Sequence, residues 1–209
     1  MCIRDSPILT KINLTVSRGE MVGFVGVSGA GKSTLINILL GLLEPSNGRV
    51  TVDGVDIANR LPGWYSLIGY VPQNVFLLDD TLRRNIAFGL PDDEINDSSI
   101  EQALQEAQLL DFVRSLPDGL DTRVGERGVR LSGGQAQRIG IARALYHRPP
   151  VLVFDEASSA LDTETEKAII STISSLRKER TILIIAHRLS TVADCNKIYK
   201  ISNGGLASA

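Results

Sequence analysis

A glycine-rich segment near the start of the chain has the residue types and spacing of a phosphate-binding loop. Residues 26–33 follow the pattern G-x-x-x-x-G-K-[ST] and lie between a predicted strand, Met21–Val25, and a predicted helix. Glycines let such a loop curl so that its amides and the helix N-terminus face one anion. Lys32 adds a cation for β- and γ-phosphates, and the Ser33 hydroxyl can bind Mg²⁺. The predicted phosphate contacts are Gly26, Val27, Ser28, Gly29, Ala30, Gly31, Lys32, Ser33 and Thr34.

Two carboxylates directly follow the apolar run Val151–Phe154. In open α/β sheets, ligands bind beyond the carboxyl ends of the strands. Asp155 is therefore a candidate for the Mg²⁺ shell, and Glu156 is placed to polarise a water that attacks a γ-phosphate. Phosphoryl transfer needs mainly positioning and charge neutralisation, which these residues and the loop supply.

A third segment, Leu131–Gln135, reads Leu-Ser-Gly-Gly-Gln and precedes a predicted helix. Its glycines permit close backbone approach, and the helix start offers a second anion site. A capping box, in which Ser132 caps the helix and Gln135 completes the motif, is the plainer alternative, and the two interpretations are compatible. The other two motifs also have plainer alternatives. Residues 26–33 could form a simple glycine-rich turn, and Asp155 and Glu156 could simply end a strand in solvent.

Strands that alternate with helices must position these motifs, which indicates an α/β protein with a largely parallel, covered sheet. The predicted strands are Lys11–Val16, Met21–Val25, Arg49–Val52, Leu67–Val71, Val151–Phe154, Thr181–Ala186 and Lys197–Ile201. The predicted helices are Lys32–Leu43, Leu82–Phe88, Ser98–Ala107, Leu109–Leu116, Gln135–Tyr146 and Thr163–Arg177. The helical block between Asp79 and His147 has the character of an insertion into the sheet.

Composition excludes several classes of protein. The 209 residues are 43% apolar and 22% charged, an ordinary globular mix, and the net charge of -2 argues against a nucleic-acid-coating protein. Two cysteines, Cys2 and Cys195, are too few for a disulfide scaffold or a metal cluster. No apolar run approaches the ~20 residues of a membrane span.

Six motifs occur in the order typical of one family: Gly26–Thr34, Gln73, Leu131–Gln135, Val151–Glu156, Ser159–Asp162 and His187. Over about residues 8–202 the chain resembles the nucleotide-binding domain of ATP-binding cassette (ABC) transporters, whose phosphate loop, Q-loop, LSGGQ signature, Walker B strand, D-loop and switch histidine these motifs match. The resemblance implies a single domain, residues 1–209, with a P-loop NTPase core, a mostly parallel sheet and a small antiparallel β part. It also implies an inserted α-helical subdomain at about residues 76–147.

The same resemblance implies a role for each site residue. Glu156 acts as the general base, His187 contacts the γ-phosphate and orders Glu156, and Gln73 reaches Mg²⁺ and the attacking water. Two such domains bind head to tail around two ATP molecules. The second phosphate contact then comes from the other chain, through Ser132, Gly133, Gly134, Gln135 and Asp162. From the residues alone, Gln73 is an ordinary turn amide. For His187 the alternative is a polar residue just past a strand, but its place after Ile182–Ala186, on the expected active edge of the sheet, argues against that alternative.

The implied cofactors are ATP and Mg²⁺, and the implied partners are a second nucleotide-binding domain and a transmembrane domain, fused or separate. No nucleic-acid partner is implied, and the expected location is the cytoplasmic face of the cell (inner) membrane. Four segments resemble those of exporters and flippases: Gly125–Gly128, Asp155–Asp162, Ala186–Thr191 and Phe76–Phe88. In the family, Leu82–Phe88 faces the transmembrane domain, and a plain amphipathic helix is the alternative.

The chain departs from the family at both ends. Family members carry an adenine-stacking aromatic residue where this chain has residues 1–6, which contain none. The last strand is followed by few residues. We therefore expect a fragment trimmed at both ends, with residues 1–6 not native to the domain.

The competing functional hypotheses are a soluble ABC ATPase that acts on DNA or ribosomes, and a nucleotide-binding regulator without turnover.

Overall fold

Strands and helices alternate along most of the chain in the structure, a computed structural model that describes residues 7–125, 131–157, 162–177 and 180–208. Within these ranges the strands are β1 (Met21–Val25), β2 (Thr51–Val52), β3 (Val55–Asp56), β4 (Ile68–Val71), β5 (Asp80–Thr81), β6 (Arg123–Val124), β7 (Val151–Asp155), β8 (Thr181–Ala186), β9 (Lys197–Ser202) and β10 (Gly205–Ser208). The α-helices are α1 (Lys32–Leu39), α2 (Leu61–Tyr65), α3 (Leu82–Ile86), α4 (Asp97–Glu106), α5 (Leu110–Ser115), α6 (Gly133–Leu145) and α7 (Thr163–Leu176).

The main sheet has six strands in the order β10-β9-β1-β8-β7-β4. All neighbours pair in parallel except β10, which runs antiparallel to β9. Two short antiparallel pairs, β2 with β3 and β5 with β6, lie outside this sheet. The predicted α/β class, with a mostly parallel sheet and a small antiparallel part, is confirmed.

Successive residues of the central strands face opposite sides of the sheet, as the pleat requires. In β8, Ile182 and Ile184 pack into one apolar core, and Leu183 and Ile185 pack into a second. The first core is covered by α4, α6 and α7, and the second by α1. Cover on both faces explains why these strands are almost wholly apolar.

The helices α3, α4, α5 and α6 lie between β4 and β7 in the chain and share the first core with the sheet. These helices lie where the sequence predicts the inserted helical subdomain, whose bounds at about 76–147 stay a prediction. No helix in the described parts of the chain has both the length and the apolar character to cross a bilayer.

The ends of several elements differ from those predicted. Helix α1 ends at Leu39 instead of Leu43, because Gly41 turns left-handed with φ 76° and stops the helix before Pro45. Residues 11–16 alternate between exposed and half-buried as predicted, yet they form no strand in the structure. Alternation reports which side chains face the core, whereas a strand also needs a paired neighbour.

The sequence analysis missed the hairpin that joins β9 and β10. Its two loop residues, Asn203 and Gly204, have φ of 48° and 75°, and Ser202 pairs with Gly205. Positive φ at both positions is the signature of a type I′ turn, for which Asn-Gly is the preferred sequence. The dipeptide was therefore a readable signal for the additional antiparallel strand.

Gly69 of β4 offers a test of the packing between the sheet and α6. A Cβ at this position would lie 2.5 Å from the carbonyl oxygen of Ala144 and 2.8 Å from side-chain atoms of Leu152 and Pro149. We expect Gly69→Ala to lower the free energy of unfolding by about 1–3 kcal/mol, because backbone and well-packed side chains must shift. Gly63→Ala is the matched control, since a Cβ there meets nothing within 4 Å. Equal denaturant midpoints for the two variants would contradict the packing.

Candidate functional site

Four parallel strands bring the predicted site residues to one edge of the sheet. Val25 of β1 pairs with Ala186 of β8, and Ile185 of β8 pairs with Asp155 of β7. Strand β4 continues the row beside β7 in the same direction. Because parallel strands share a carboxyl edge, the segments that follow them lie side by side: residues 26–31, His187, Glu156 and Gln73.

The phosphate loop ends directly in α1. Gly29 and Gly31 have φ of 78° and 101°, so the turn uses the left-handed backbone that glycine adopts readily. Gly31 is the N-cap of α1 and has no side chain, so it offers no side-chain acceptor to the amides of the first helical turn. An uncapped, eight-residue helix that begins at a curled loop fits the phosphates of a nucleotide.

Lys32 is buried at 5% exposure, and its ammonium lies inside the loop. Nζ donates hydrogen bonds to the carbonyl oxygens of Gly26, at 2.9 Å, and Val27, at 3.2 Å. These bonds hold the positive charge at the centre of the curled backbone. The remaining loop residues, Ser28, Gly29 and Ala30, form its rim, with Ser33 and Thr34 in the first turn of α1.

Glu156 and His187, the predicted general base and switch histidine, are in direct contact. Nε2 of His187 lies 2.7 Å from Oε1 of Glu156, and the same carboxylate oxygen lies 3.8 Å from Nζ of Lys32. The other ring nitrogen, Nδ1, is 3.4 Å from Nζ of Lys32. A ring with its proton on Nε2 satisfies both contacts, because it donates to Glu156 and accepts from Lys32. We call these three residues the Lys32–Glu156–His187 cluster.

The backbone at Glu156 directs its side chain into this cluster. Its amide donates to the carbonyl oxygen of Ile185 at 2.9 Å, which extends the pairing of β7 with β8 by one residue. Its φ of 50° then turns the chain sharply away from the sheet. The side chain is only 11% exposed to solvent, so few waters compete for the carboxylate. A held, partly desolvated carboxylate beside the ammonium of Lys32 can accept a proton from a water.

Asp155, the predicted magnesium ligand, has a partner that the sequence analysis did not identify. The hydroxyl of Tyr70 on β4 donates to Oδ2 of Asp155 at 3.2 Å. Burial, together with the negative charge of Asp155, raises the pKa of Tyr70 to about 12, so the phenol stays a neutral donor at neutral pH. Only the order of the strands, with β4 beside β7, could have revealed this contact.

The predicted magnesium ligands, Ser33, Asp155 and Gln73, offer a hydroxyl, a carboxylate and an amide oxygen at the same edge of the sheet. The described residues contain no group of three or more His, Cys, Asp or Glu side chains that could hold a metal ion. This donor set fits Mg²⁺, which prefers oxygen ligands and is usually held by one or two carboxylates together with substrate phosphates and waters.

The Leu-Ser-Gly-Gly-Gln segment begins α6, where its side chains bond to each other. Ser132 Oγ accepts from the amide of Gln135 at 3.2 Å, and Gln135 Oε1 accepts from the amide of Ser132 at 2.8 Å. The capping box is therefore present. Gly133 is exposed, and Gly134 packs closely on α7, where a Cβ would lie 2.4 Å from Thr165. The contacts of Ser132 and Gln135 do not join them to the Lys32–Glu156–His187 cluster.

Asp162 is the only residue of the D-loop motif that the structure describes, since Ser159–Leu161 lie outside the described residues. Its carboxylate caps α7 by accepting from the amides of Glu164, at 3.1 Å, and Thr165, at 3.0 Å. A side-chain hydrogen bond with Thr165 and these amides lower the pKa of Asp162. Residues 1–6 and most of the exporter-type segment Gly125–Gly128 also lie outside the described residues.

Comparison with known proteins identifies the family. The sequence matches the ABC transporter family over residues 9–159. It is 48% identical over 200 residues to the uncharacterized ABC transporter ATP-binding protein YwjA of Bacillus subtilis (strain 168), an alignment that covers 95% of this chain and 34% of that protein. It is 47% identical over 201 residues to a putative multidrug export ATP-binding/permease protein of Staphylococcus aureus (strain NCTC 8325 / PS 47), with 96% of this chain and 34% of the relative covered.

A solved structure of a bacterial Atm1-family ABC exporter with ATP bound matches with a TM-score of 0.86 and 45% identity, over 98% of this chain and 36% of that one. The chain thus spans about a third of the length of these relatives. The fold and the sequence together define an ATP-binding domain with the P-loop NTPase fold. The chain belongs to the ABC transporter family and is homologous to the ATP-binding domains of its exporters, a family of ATPases.

The capping box allows a stability test that is separate from catalysis. We expect Ser132→Ala to lower the free energy of unfolding by about 1 kcal/mol, because the amide of Gln135 loses its acceptor. Ser98→Ala, an exposed serine inside α4, is the control and should change stability by only a few tenths of a kcal/mol. Thermal and urea unfolding measure both variants. Equal stability of Ser132→Ala and the parent chain would show that the cap contributes nothing.

Proposed function

We propose that this chain is the ATP-hydrolysing unit of an ABC exporter or flippase, in which two such domains enclose two ATP molecules and drive substrate export through a transmembrane domain. The observation that carries the proposal is the Lys32–Glu156–His187 cluster. It places a cation, a partly buried carboxylate and a histidine within 2.7–3.8 Å of each other beside an uncapped helix N-terminus.

In the proposed reaction, the amides of the loop and of the first turn of α1 bind the β- and γ-phosphates, and Lys32 offsets their charge. Glu156 orients the attacking water and accepts a proton from it as the oxygen bonds to the γ-phosphorus and the bond to ADP breaks. His187 holds the Glu156 carboxylate through Nε2 and lies beside the proposed position of the γ-phosphate. Mg²⁺, held by Ser33, Asp155 and Gln73, would neutralise charge on the phosphate oxygens. Tyr70 fixes the orientation of Asp155.

The second half of each site comes, in this proposal, from another nucleotide-binding domain, identical or not. Ser132, Gly133, Gly134 and Gln135 contact the γ-phosphate held by the opposite loop, and Asp162 lies at the same interface. Three features support this arrangement. Gly133 is exposed, the capped start of α6 stays electropositive, and the contacts of Ser132 and Gln135 leave them outside the cluster of their own chain.

The proposed membrane association rests on the relatives. The Staphylococcus aureus relative is named as an export ATP-binding/permease protein, and the matched solved structure is an exporter. We therefore propose that this domain acts with a transmembrane domain, fused or separate, at the cytoplasmic face of the cell membrane. The aromatic residue Phe88, at 50% exposure, lies in the segment Leu82–Phe88 that is proposed to face that partner, and Phe76, at 72% exposure, begins the exporter-type segment that includes it.

Replacement of the proposed base tests the chemistry. We expect Glu156→Gln to lower ATP turnover at least a hundredfold, because the amide cannot accept the proton, while ATP still binds. Since ATP then persists, a dimer should accumulate with ATP and Mg²⁺ and appear in light scattering. Glu94→Gln, at an exposed glutamate, is the matched control. Turnover near that of the parent chain in Glu156→Gln would exclude Glu156 as the base.

Replacement of the loop lysine tests the phosphate site. We expect Lys32→Ala to weaken ATP binding about tenfold to a hundredfold, enough to abolish it at low micromolar ATP, because a charge-assisted hydrogen bond to the phosphates is lost. Lys167→Ala, at an exposed lysine of α7, is the control. Calorimetric titration with ATP measures both, and melting curves verify the fold. Unchanged affinity in Lys32→Ala would refute the role of the loop.

A further inference from the structure

A buried carboxylate outside the nucleotide site lies in the first turns of α7. Glu166 is only 6% exposed to solvent. Burial of a charge is costly unless it is paired and hydrogen-bonded. Its amide donates to the carbonyl oxygen of Asp162, so the residue belongs to the turn that Asp162 caps. The positive end of the helix contributes to its stabilisation.

Two side chains of one short turn bind this carboxylate. Nη1 of Arg188 lies 2.7 Å from Oε2 of Glu166, and Oγ1 of Thr191 donates to Oε1 at 3.3 Å. Both belong to the segment that directly follows His187. Thr191 is buried, whereas the Arg188 side chain is 57% exposed. Glu166 therefore ties the turn after His187 to α7.

His187 lies one residue beyond the last pair of the β1–β8 ladder, which joins Val25 to Ala186. Its backbone is therefore not fixed by sheet pairing, and its ring is still 41% exposed. The ring must nevertheless hold a 2.7 Å contact with Glu156. The contacts that hold the following turn therefore influence where the imidazole lies, and the ion pair between Arg188 and Glu166 is one of these contacts.

We propose that Glu166 is a positioning residue for His187, acting through Arg188 and Thr191. The inference rests on the proposed function, in which His187 orders the general base. Because Asp162 caps α7, the tether also links the proposed intersubunit contact of Asp162 to the histidine of the same chain. A shift of α7 changes the position of His187 and, through it, that of Glu156.

The chain contains only two histidines, His147 and His187, which makes a direct spectroscopic test feasible. In the full chain with ¹³C-labelled histidine, we expect Glu166→Gln and Arg188→Ala to shift or broaden the ring signals of His187 and to leave those of His147 in place. Glu156→Gln assigns the His187 signals, because it alters a direct contact. Glu164→Gln, an exposed glutamate of the same helical turn, is the matched control. An unmoved His187 signal in both test variants overturns the proposal.

Kinetics provide the second readout. We expect kcat to fall roughly tenfold in Glu166→Gln and in Arg188→Ala, with KM for ATP changed less than twofold, because a displaced base slows chemistry and leaves phosphate binding intact. The double variant should be no slower than the slower single variant, since both remove one interaction. A lowered melting temperature with kcat unchanged would assign the pair a purely structural role.

The two proposals fail in different ways. If Glu166→Gln does not fold, the half-exposed Arg188→Ala still decides the inference. If the parent chain shows no ATP turnover under any condition, the proposed function fails, and the histidine spectra still test the tether.

Discussion

The parallel pairing of β1, β8, β7 and β4 is the constraint on which the site depends. Parallel strands bring their carboxyl ends to a common edge, so four segments that are far apart in sequence become neighbours. The register is specified by apolar side chains on both faces, since a slip of one residue would exchange the two cores. Residues such as Ile182 and Leu183, which lie in the two cores, therefore determine how closely His187 approaches Glu156.

Several residues of the site also stabilise the fold around it. Lys32 donates to two carbonyl oxygens of its own loop, Ser132 and Gln135 cap α6, and Asp162 caps α7. These interactions keep the functional groups in one geometry before any ligand arrives, and preorganised groups are the effective ones in catalysis. They also mean that a substitution in the site affects stability and activity together. Melting curves must therefore accompany each kinetic comparison.

Much of the framework could be predicted from the sequence because its signals are local. The glycine spacing at residues 26–31 marked the end of β1 at Val25, and the acids after Val151–Phe154 marked the end of β7 to within one residue, since the strand includes Asp155. The alternation of strands with helices indicated the sheet. Contacts that depend on strand order or on the turn after a strand could not be predicted. The hydrogen bond from Tyr70 to Asp155 and the ion pair between Arg188 and Glu166 join residues 85 and 22 positions apart, with no sequence pattern to link them.

The left-handed backbone at Glu156 has a consequence for how this position can vary. Residues other than glycine, asparagine and aspartate adopt φ near 50° at a cost of roughly 1–2 kcal/mol, and the cost is greater for β-branched side chains. The amino acids that position 156 can accept are thus restricted twice, first by the backbone conformation and second by the need for a base. In a library that samples all amino acids there, valine and isoleucine would be depleted by selection for folded protein alone, whereas glutamine and asparagine would be lost only when turnover is selected.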